Sequence, residues 1–73
     1  MFVKQLNLNK CKLAHLNLCQ MLQNEKPSIF CIQEPYYTKY GTLSGIPKNY
    51  KWFGKKNSRG IILSHVSIDL IFV

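Results

Sequence analysis

The spacing of hydrophobic residues changes along the chain, and each change marks a predicted element. Residues 2–8 alternate between apolar and polar side chains, which indicates a strand with Leu6 and Leu8 on one face. Residues 10–24 carry apolar side chains three or four positions apart, which predicts an amphipathic helix with Asn9 as its N-cap. The apolar positions of this helix are Ala14, Leu18, Met21 and Leu22.

The next apolar run stops on a carboxylate that is followed directly by proline. Residues 29–32 lie between Pro27 and Pro35 and are too few for a helix, so they predict a buried strand that ends at Gln33 or Glu34. Proline disfavours the α region for the residue before it. We therefore expect Glu34 to be extended, at the carboxyl end of this strand.

The order strand, helix, strand predicts a βαβ unit, in which the two strands are parallel neighbours. The carboxyl ends of such strands share one edge of the sheet, where α/β proteins usually bind ligands. We therefore expect Asn7 or Asn9 to lie close to Glu34.

Glycine and proline divide the second half of the chain into a loop and a hairpin. Residues 36–49 predict a long loop, and residues 50–53 a short strand. Residues 54–60 form the predicted turn, and residues 61–66 the returning strand. The basic residues of this turn are Lys55, Lys56 and Arg59.

Residues 68–73 begin a further apolar element that no turn or polar tail closes, and an unpaired apolar edge of this kind is one that complete domains usually cover. We therefore interpret residues 1–73 as the front piece of a larger α/β (α+β) domain. A chain of 73 residues forms at most one small domain, whose stability alone would be marginal.

Charge favours a polyanionic partner such as nucleic acid. Ten Lys and Arg residues against three acidic ones give a formal net charge of +7.

No secretory signal is apparent, and the apolar carboxyl-terminal stretch is too short to span a bilayer, so we expect no membrane association. The cysteines Cys11, Cys19 and Cys31 lack CxxC spacing, which predicts buried, reduced thiols in an intracellular protein.

Two segments carry a family resemblance. Residues 6–9 (LNLN) and residues 27–36 (PSIFCIQEPY), in this order, resemble the start of the endonuclease/exonuclease/phosphatase fold. They are most similar to the apurinic-endonuclease-like domains of non-LTR retrotransposons, and the similarity continues through residues 41–47 and 58–63. The resemblance implies the amino-terminal βαβ unit and hairpin of a DNase I-like, four-layered α/β sandwich.

The resemblance also implies a function, which is the Mg²⁺-dependent nicking of DNA at an insertion site. Glu34 matches the family's metal-binding glutamate, and Asn7 matches a catalytic asparagine at the end of its first strand. One carboxylate is useful here because Mg²⁺ is typically bound by one or two carboxylates, water and substrate phosphate. The implied partners are DNA, the rest of the endonuclease domain and a downstream reverse transcriptase, in a parent protein that acts in the nucleus.

Two family segments, Asp-x-Asn and Ser-Asp-His, do not occur in these residues. We therefore expect a truncated endonuclease piece that does not hydrolyse DNA alone. The alternative is a small basic nucleic-acid-binding module in which Glu34 is incidental. In either case the predicted phosphate contacts are Lys55, Lys56 and Arg59. Tyr36 either stacks on DNA or is simply half-buried.

Overall fold

The computed structural model describes residues 2–24 and 26–68. Its elements, in chain order, are β1 (Phe2–Asn7), α1 (Lys12–Asn24), β2 (Ser28–Gln33), β3 (Tyr50–Phe53) and β4 (Gly60–His65). Each predicted element of this part is present, and its ends lie within two residues of the prediction. Of the apolar element predicted over 68–73, residues 69–73 lie outside the described residues. No helix of the described part is long and apolar enough to cross a membrane.

The strands form one mixed sheet in the order β1-β2-β4-β3. β1 and β2 are parallel, as the βαβ prediction requires, and β4 pairs antiparallel with both β2 and β3. The hairpin therefore joins the sheet through its second strand. In the parallel pair Asn7 lies opposite Gln33, so β1 and β2 end level with each other. The chain thus has a mixed α/β fold whose two parallel strands finish at one edge.

The core contains alternate residues of the three strands β2, β4 and β3. Phe30 lies opposite Leu63 in the β2–β4 pair, and Leu63 lies opposite Trp52 in the β4–β3 pair. Because side chains alternate between the faces of a strand, these residues share one face of the sheet. Leu18 and Leu22 of α1 belong to the same buried cluster. The helix therefore covers this face.

The helix begins two residues later than predicted because the chain turns before it. Asn9 and Lys10 have φ angles of 50° and 54°, in the left-handed region, so neither residue is helical. The N–H of Asn9 donates to Oδ1 of Asn7 at 2.9 Å. The first helical hydrogen bond runs from the N–H of His15 to the carbonyl of Cys11 at 3.0 Å, which puts Cys11 at the N-cap position. The prediction of Asn9 as N-cap is wrong.

The buried face of α1 is wider than the predicted apolar stripe. Leu18 and Leu22 are fully buried, as predicted, whereas Ala14 and Met21 are partly buried against the core. His15 and Cys19 are buried too, although the hydrophobic pattern did not include them. They lie beneath the loop between β2 and β3. Nε2 of His15 donates to the carbonyl of Ser44 at 2.7 Å, since a carbonyl oxygen only accepts.

The three cysteines differ in exposure. All are free thiols, but only Cys19 is buried, whereas Cys31 is partly exposed and Cys11 is exposed. The prediction of buried thiols is therefore wrong for Cys11, which lies in the turn before the helix. Burial raises the pKa of the Cys19 thiol, because desolvation disfavours the thiolate. Cys19 is therefore a neutral core residue.

Two leucines of α1 test the packing. Leu22 is 1% exposed and Leu13 is 65% exposed, so Leu22→Ala leaves a cavity and Leu13→Ala does not. We expect Leu22→Ala to lower the free energy of unfolding by roughly 2–5 kcal/mol, and Leu13→Ala to change it by less than about 0.5 kcal/mol. Urea denaturation followed by circular dichroism measures both values. Equal losses would contradict this assignment of the buried face.

Candidate functional site

Three segments meet at the sheet edge where β1 and β2 end. The N–H of Glu34 donates to the carbonyl of Arg59, just before β4, at 2.8 Å. The carbonyl of Glu34 accepts from the N–H of Lys10, after β1, also at 2.8 Å. Both backbone polar groups of Glu34 are therefore bound, each to a different segment. Glu34 holds the edge together through its main chain.

The conformation of Glu34 differs from the prediction. Its φ angle is 50°, in the left-handed region, so the expectation of an extended residue is wrong. Two tertiary hydrogen bonds, to Arg59 and to Lys10, outweigh the preference of a residue before proline for an extended backbone. A non-glycine residue in this region costs about 1–2 kcal/mol. Such strained residues cluster at binding and active sites.

Beside Glu34 lies a cleft of about 430 Å³, called the edge cleft below. It is lined by Lys10, by residues 35–38 after β2, and by residues 57–59 before β4. The charged lining residues, Lys10 and Arg59, are both cations. Tyrosine, threonine and serine hydroxyls and the amide of Asn57 complete the polar lining. This cleft offers donors and positive charge, which suit an anion.

A side-chain hydrogen bond fixes two walls of the edge cleft relative to each other. The hydroxyl of Tyr37 donates to the carbonyl of Ser58 at 2.8 Å. It joins the segment after β2 to the turn before β4. Tyr36 also lines the cleft and is half-buried, with its ring centroid 6.0 Å from that of His15. Half-burial was one alternative for Tyr36, and its place in the cleft keeps the DNA-stacking alternative open.

The side chain that pairs with the Glu34 carboxylate is that of Lys10. Nζ of Lys10 lies 3.9 Å from Oε2 of Glu34, and the two side chains are 72% and 36% exposed. Exposed ion pairs at such distances are weak. Oδ1 of Asn7 accepts from the N–H of Asn9, and no hydrogen bond of the described residues joins the Asn7 amide to Glu34. The register of β1 and β2 aligns the ends of the two strands as expected, but the side-chain oxygen of Asn7 accepts a hydrogen bond within the turn that follows β1.

The resemblance implies a magnesium ion at this edge, where the described residues offer one carboxylate, which lies 3.9 Å from the Lys10 ammonium group. Glu34 supplies that carboxylate, and Oδ1 of Asn7 keeps a second lone pair beside its turn hydrogen bond. Mg²⁺ keeps several waters and often takes only one or two protein carboxylates. Within residues 2–24 and 26–68, no group of three or more His, Cys, Asp or Glu residues could hold a metal ion. A fuller protein cage is therefore not formed by the described residues.

The three predicted cations of the hairpin turn separate in the structure. Arg59 lines the edge cleft, whereas Lys55 and Lys56 do not. The stem of Lys56 lies over Gly41, where an added Cβ would come 2.6 Å from the Lys56 Cγ. Gly41 has a φ of 74°, so this position favours glycine both for its backbone and for the close approach. The structure groups Arg59 with Lys10 and not with the other turn lysines.

The sequence pattern did not mark Lys10 as a site residue, because this residue falls inside the predicted helix 10–24. Its signal was the polar run after β1, where Asn9 and Lys10 follow the strand directly. Asn57 and Ser58 were assigned only to a turn. Their place beside Tyr37 depends on the pairing of β2 with β4, which local patterns do not show.

Comparison with profiles of known families, with curated proteins and with solved structures finds no match to this chain. The family resemblance of residues 6–9 and 27–36 therefore remains a hypothesis. What the chain binds has to be inferred from the charges and geometry of the sheet edge.

Two substitutions test the strained conformation of Glu34, and both remove the carboxylate. At an ordinary position glycine is less stable than alanine by about 0.4–1 kcal/mol. At a φ of 50° we expect the reverse, with Glu34→Gly more stable than Glu34→Ala by about 1 kcal/mol. Thermal and urea denaturation of the two variants measure the difference. A more stable alanine variant would contradict the left-handed assignment.

Proposed function

We propose that this chain binds the phosphate backbone of DNA at the edge cleft. The observation that carries the proposal is the pair of cations, Lys10 and Arg59, on separate segments that line one cleft. Arginine binds phosphate through a planar fork of donors, and lysine binds it as a point charge. No acidic residue is among the described residues that line the cleft, and the nearby Glu34 carboxylate faces the Lys10 ammonium group at 3.9 Å.

Binding of this kind reads the backbone and not the base sequence. Phosphate contacts fix position and orientation but carry no sequence information directly. Tyr36, which lines the same cleft, would add stacking against a base or sugar. The net charge of +7 strengthens attraction to any polyanion. We therefore infer sequence-independent binding with a strong dependence on salt.

We further propose, from the resemblance, that Glu34 is a Mg²⁺ ligand and that Asn7 orients a neighbouring ligand or water. Bound Mg²⁺ would polarise a phosphoryl oxygen and offset developing charge. Lys10 and Arg59 would bind and orient the phosphate at this edge. The βαβ unit and hairpin would then be the first part of a DNase I-like, four-layered sandwich in a retrotransposon endonuclease that acts with a reverse transcriptase.

The described residues supply binding groups but no histidine in the edge cleft. His15 is buried in α1 and hydrogen-bonded to Ser44. His65 ends β4 opposite Tyr50, and its Nδ1 is 2.7 Å from the Ser67 hydroxyl. The chain also contains no Asp-x-Asn or Ser-Asp-His segment. We therefore propose that these residues bind DNA without hydrolysing it alone. A basic binding module without catalysis is the alternative, and the same cleft would serve it.

The salt dependence of DNA binding tests the edge cleft. We expect the double variant Lys10→Gln/Arg59→Gln to lose two phosphate contacts. The slope of log K against log salt concentration should then become less steep by about 1.8, at roughly 0.9 per contact on duplex DNA. Fluorescence anisotropy titrations with a labelled duplex, at several salt concentrations, measure this slope.

The matched control removes the same charge from the other end of the sheet. Lys26 precedes β2 and Lys51 lies on β3, and both are exposed. The variant Lys26→Gln/Lys51→Gln should keep nearly the wild-type slope. Equal losses in the two double variants would show that general surface charge binds DNA. A loss found only in Lys55→Ala/Lys56→Ala would assign binding to the hairpin turn and contradict the edge cleft.

A further inference from the structure

The hydroxyl of Ser58 lies among the cations of the edge cleft. Ser58 is half-buried and lines the cleft, whose charged lining residues are Lys10 and Arg59. Its Oγ donates to the carbonyl of Gly60 at 2.9 Å and lies 3.3 Å from the Tyr37 hydroxyl. A group attached to this oxygen would therefore share the cleft with two cations and a hydroxyl donor.

Two lysines of the hairpin turn do not line the edge cleft. Lys55 and Lys56 are exposed and precede Ser58 by three and two positions. Basic residues at these two positions are the charge pattern that one class of protein kinase selects, because acidic side chains line its substrate groove. Of all serines and threonines in the chain, only Ser58 has Lys or Arg at both positions. The turn thus fits a kinase of this class, called basic-directed below.

The hairpin turn leaves Ser58 within reach of an enzyme. Residues 54–57 and Arg59 are exposed. The N–H of Ser58 donates to the carbonyl of Lys55 at 3.1 Å, and the Tyr37 hydroxyl donates to the Ser58 carbonyl at 2.8 Å. A kinase binds its target serine in an extended segment, so these two bonds open during the reaction. Bonds of exposed turns open at the lowest free energy in a fold.

We propose that Ser58 is the target of a basic-directed protein kinase, and that the phosphate it receives occupies the edge cleft in place of a DNA phosphate. ATP supplies the γ-phosphoryl group. The bond between its phosphorus and the bridging oxygen of ADP breaks, a bond to Oγ of Ser58 forms, and the hydroxyl proton passes to the kinase. The modification itself stands on the residues of the turn, whereas its effect on DNA rests on the binding proposed above.

A phosphate on Ser58 competes with DNA from inside the cleft. It carries a charge of about −1.5 to −2 at pH 7 and has three acceptor oxygens, which suit the cations of Lys10 and Arg59. Because it is tethered beside them, its effective concentration is on the order of millimolar. Phosphorylation should therefore remove the same DNA contacts as the double variant Lys10→Gln/Arg59→Gln.

The first experiment locates the modification. The full 73-residue chain is incubated with Mg²⁺, ATP and the catalytic subunit of cyclic-AMP-dependent protein kinase, a basic-directed enzyme, and the product is mapped by mass spectrometry. We expect one phosphate, at Ser58. Lys55→Gln/Lys56→Gln should lower kcat/KM at least about tenfold, because both charges contact the kinase. The control Lys26→Gln/Lys51→Gln should stay within about twofold of wild type.

Two results of this experiment would overturn the site. One is the absence of phosphate at Ser58, and the other is an equal kcat/KM in the two double variants.

The second experiment measures the effect of the phosphate on DNA binding. Fluorescence anisotropy with a labelled duplex compares phosphorylated and unmodified forms of the wild type and of Lys10→Gln/Arg59→Gln. At about 0.1 M salt, phosphorylation should weaken binding by the wild type at least about tenfold. The double variant, which lacks the cleft cations, should lose no more than about threefold. Equal weakening of the two proteins would show a general effect of charge and overturn occupation of the cleft.

The signals of Lys10 provide a readout that needs no DNA. Lys10 is far from Ser58 in sequence but lines the same cleft. In NMR spectra, phosphorylation should shift the backbone and side-chain signals of Lys10 and leave those of Lys26 in place. Unmoved Lys10 signals would overturn occupation of the cleft. Shifted Lys10 signals, with equal DNA binding by the unmodified wild type and Lys10→Gln/Arg59→Gln, would support the phosphate site and overturn only the proposed DNA site.

Discussion

The structure of the sheet edge depends on the main chain of Glu34. Its N–H and carbonyl groups bind the segments before β4 and after β1, each at 2.8 Å. These bonds hold Glu34 in the left-handed region and join three parts of the chain that are far apart in sequence. Because the same bonds fix the backbones of Lys10 and Arg59, they also determine that two cations line one cleft. The hydrogen bonds that order the candidate site are thus the same ones that go with the left-handed backbone of Glu34.

Two further polar contacts fix the position of the loop between β2 and β3, which forms one wall of the edge cleft. Tyr37 binds the carbonyl of Ser58 across the cleft, and His15 binds the carbonyl of Ser44 from the helix. The loop is thereby attached at one point to the hairpin and at another to α1. A preformed cleft loses less conformational entropy when a ligand binds. This is the structural basis for proposing a binding role for a chain whose own residues supply few catalytic groups.

Periodicity and proline positions predicted the strands and the helix correctly, because these signals are local. The parallel βαβ unit also followed from them, and with it the level ends of β1 and β2. The conformation of Glu34 was not predictable, since two tertiary hydrogen bonds outweigh the preference of a residue before proline. Burial of His15 and the place of Lys10 depend on how a loop and a turn dock. Such docking leaves no periodic pattern in a single sequence.

The central claim is that phosphate binds between Lys10 and Arg59, and NMR mapping of the bound ligand tests it most directly. A short DNA duplex is titrated into the isotopically labelled chain, and the amide shifts are assigned to residues. The account predicts the largest shifts at Lys10, Tyr36 and Arg59, around the edge cleft. Largest shifts at Lys55 and Lys56, or at the opposite end of the sheet, would contradict it.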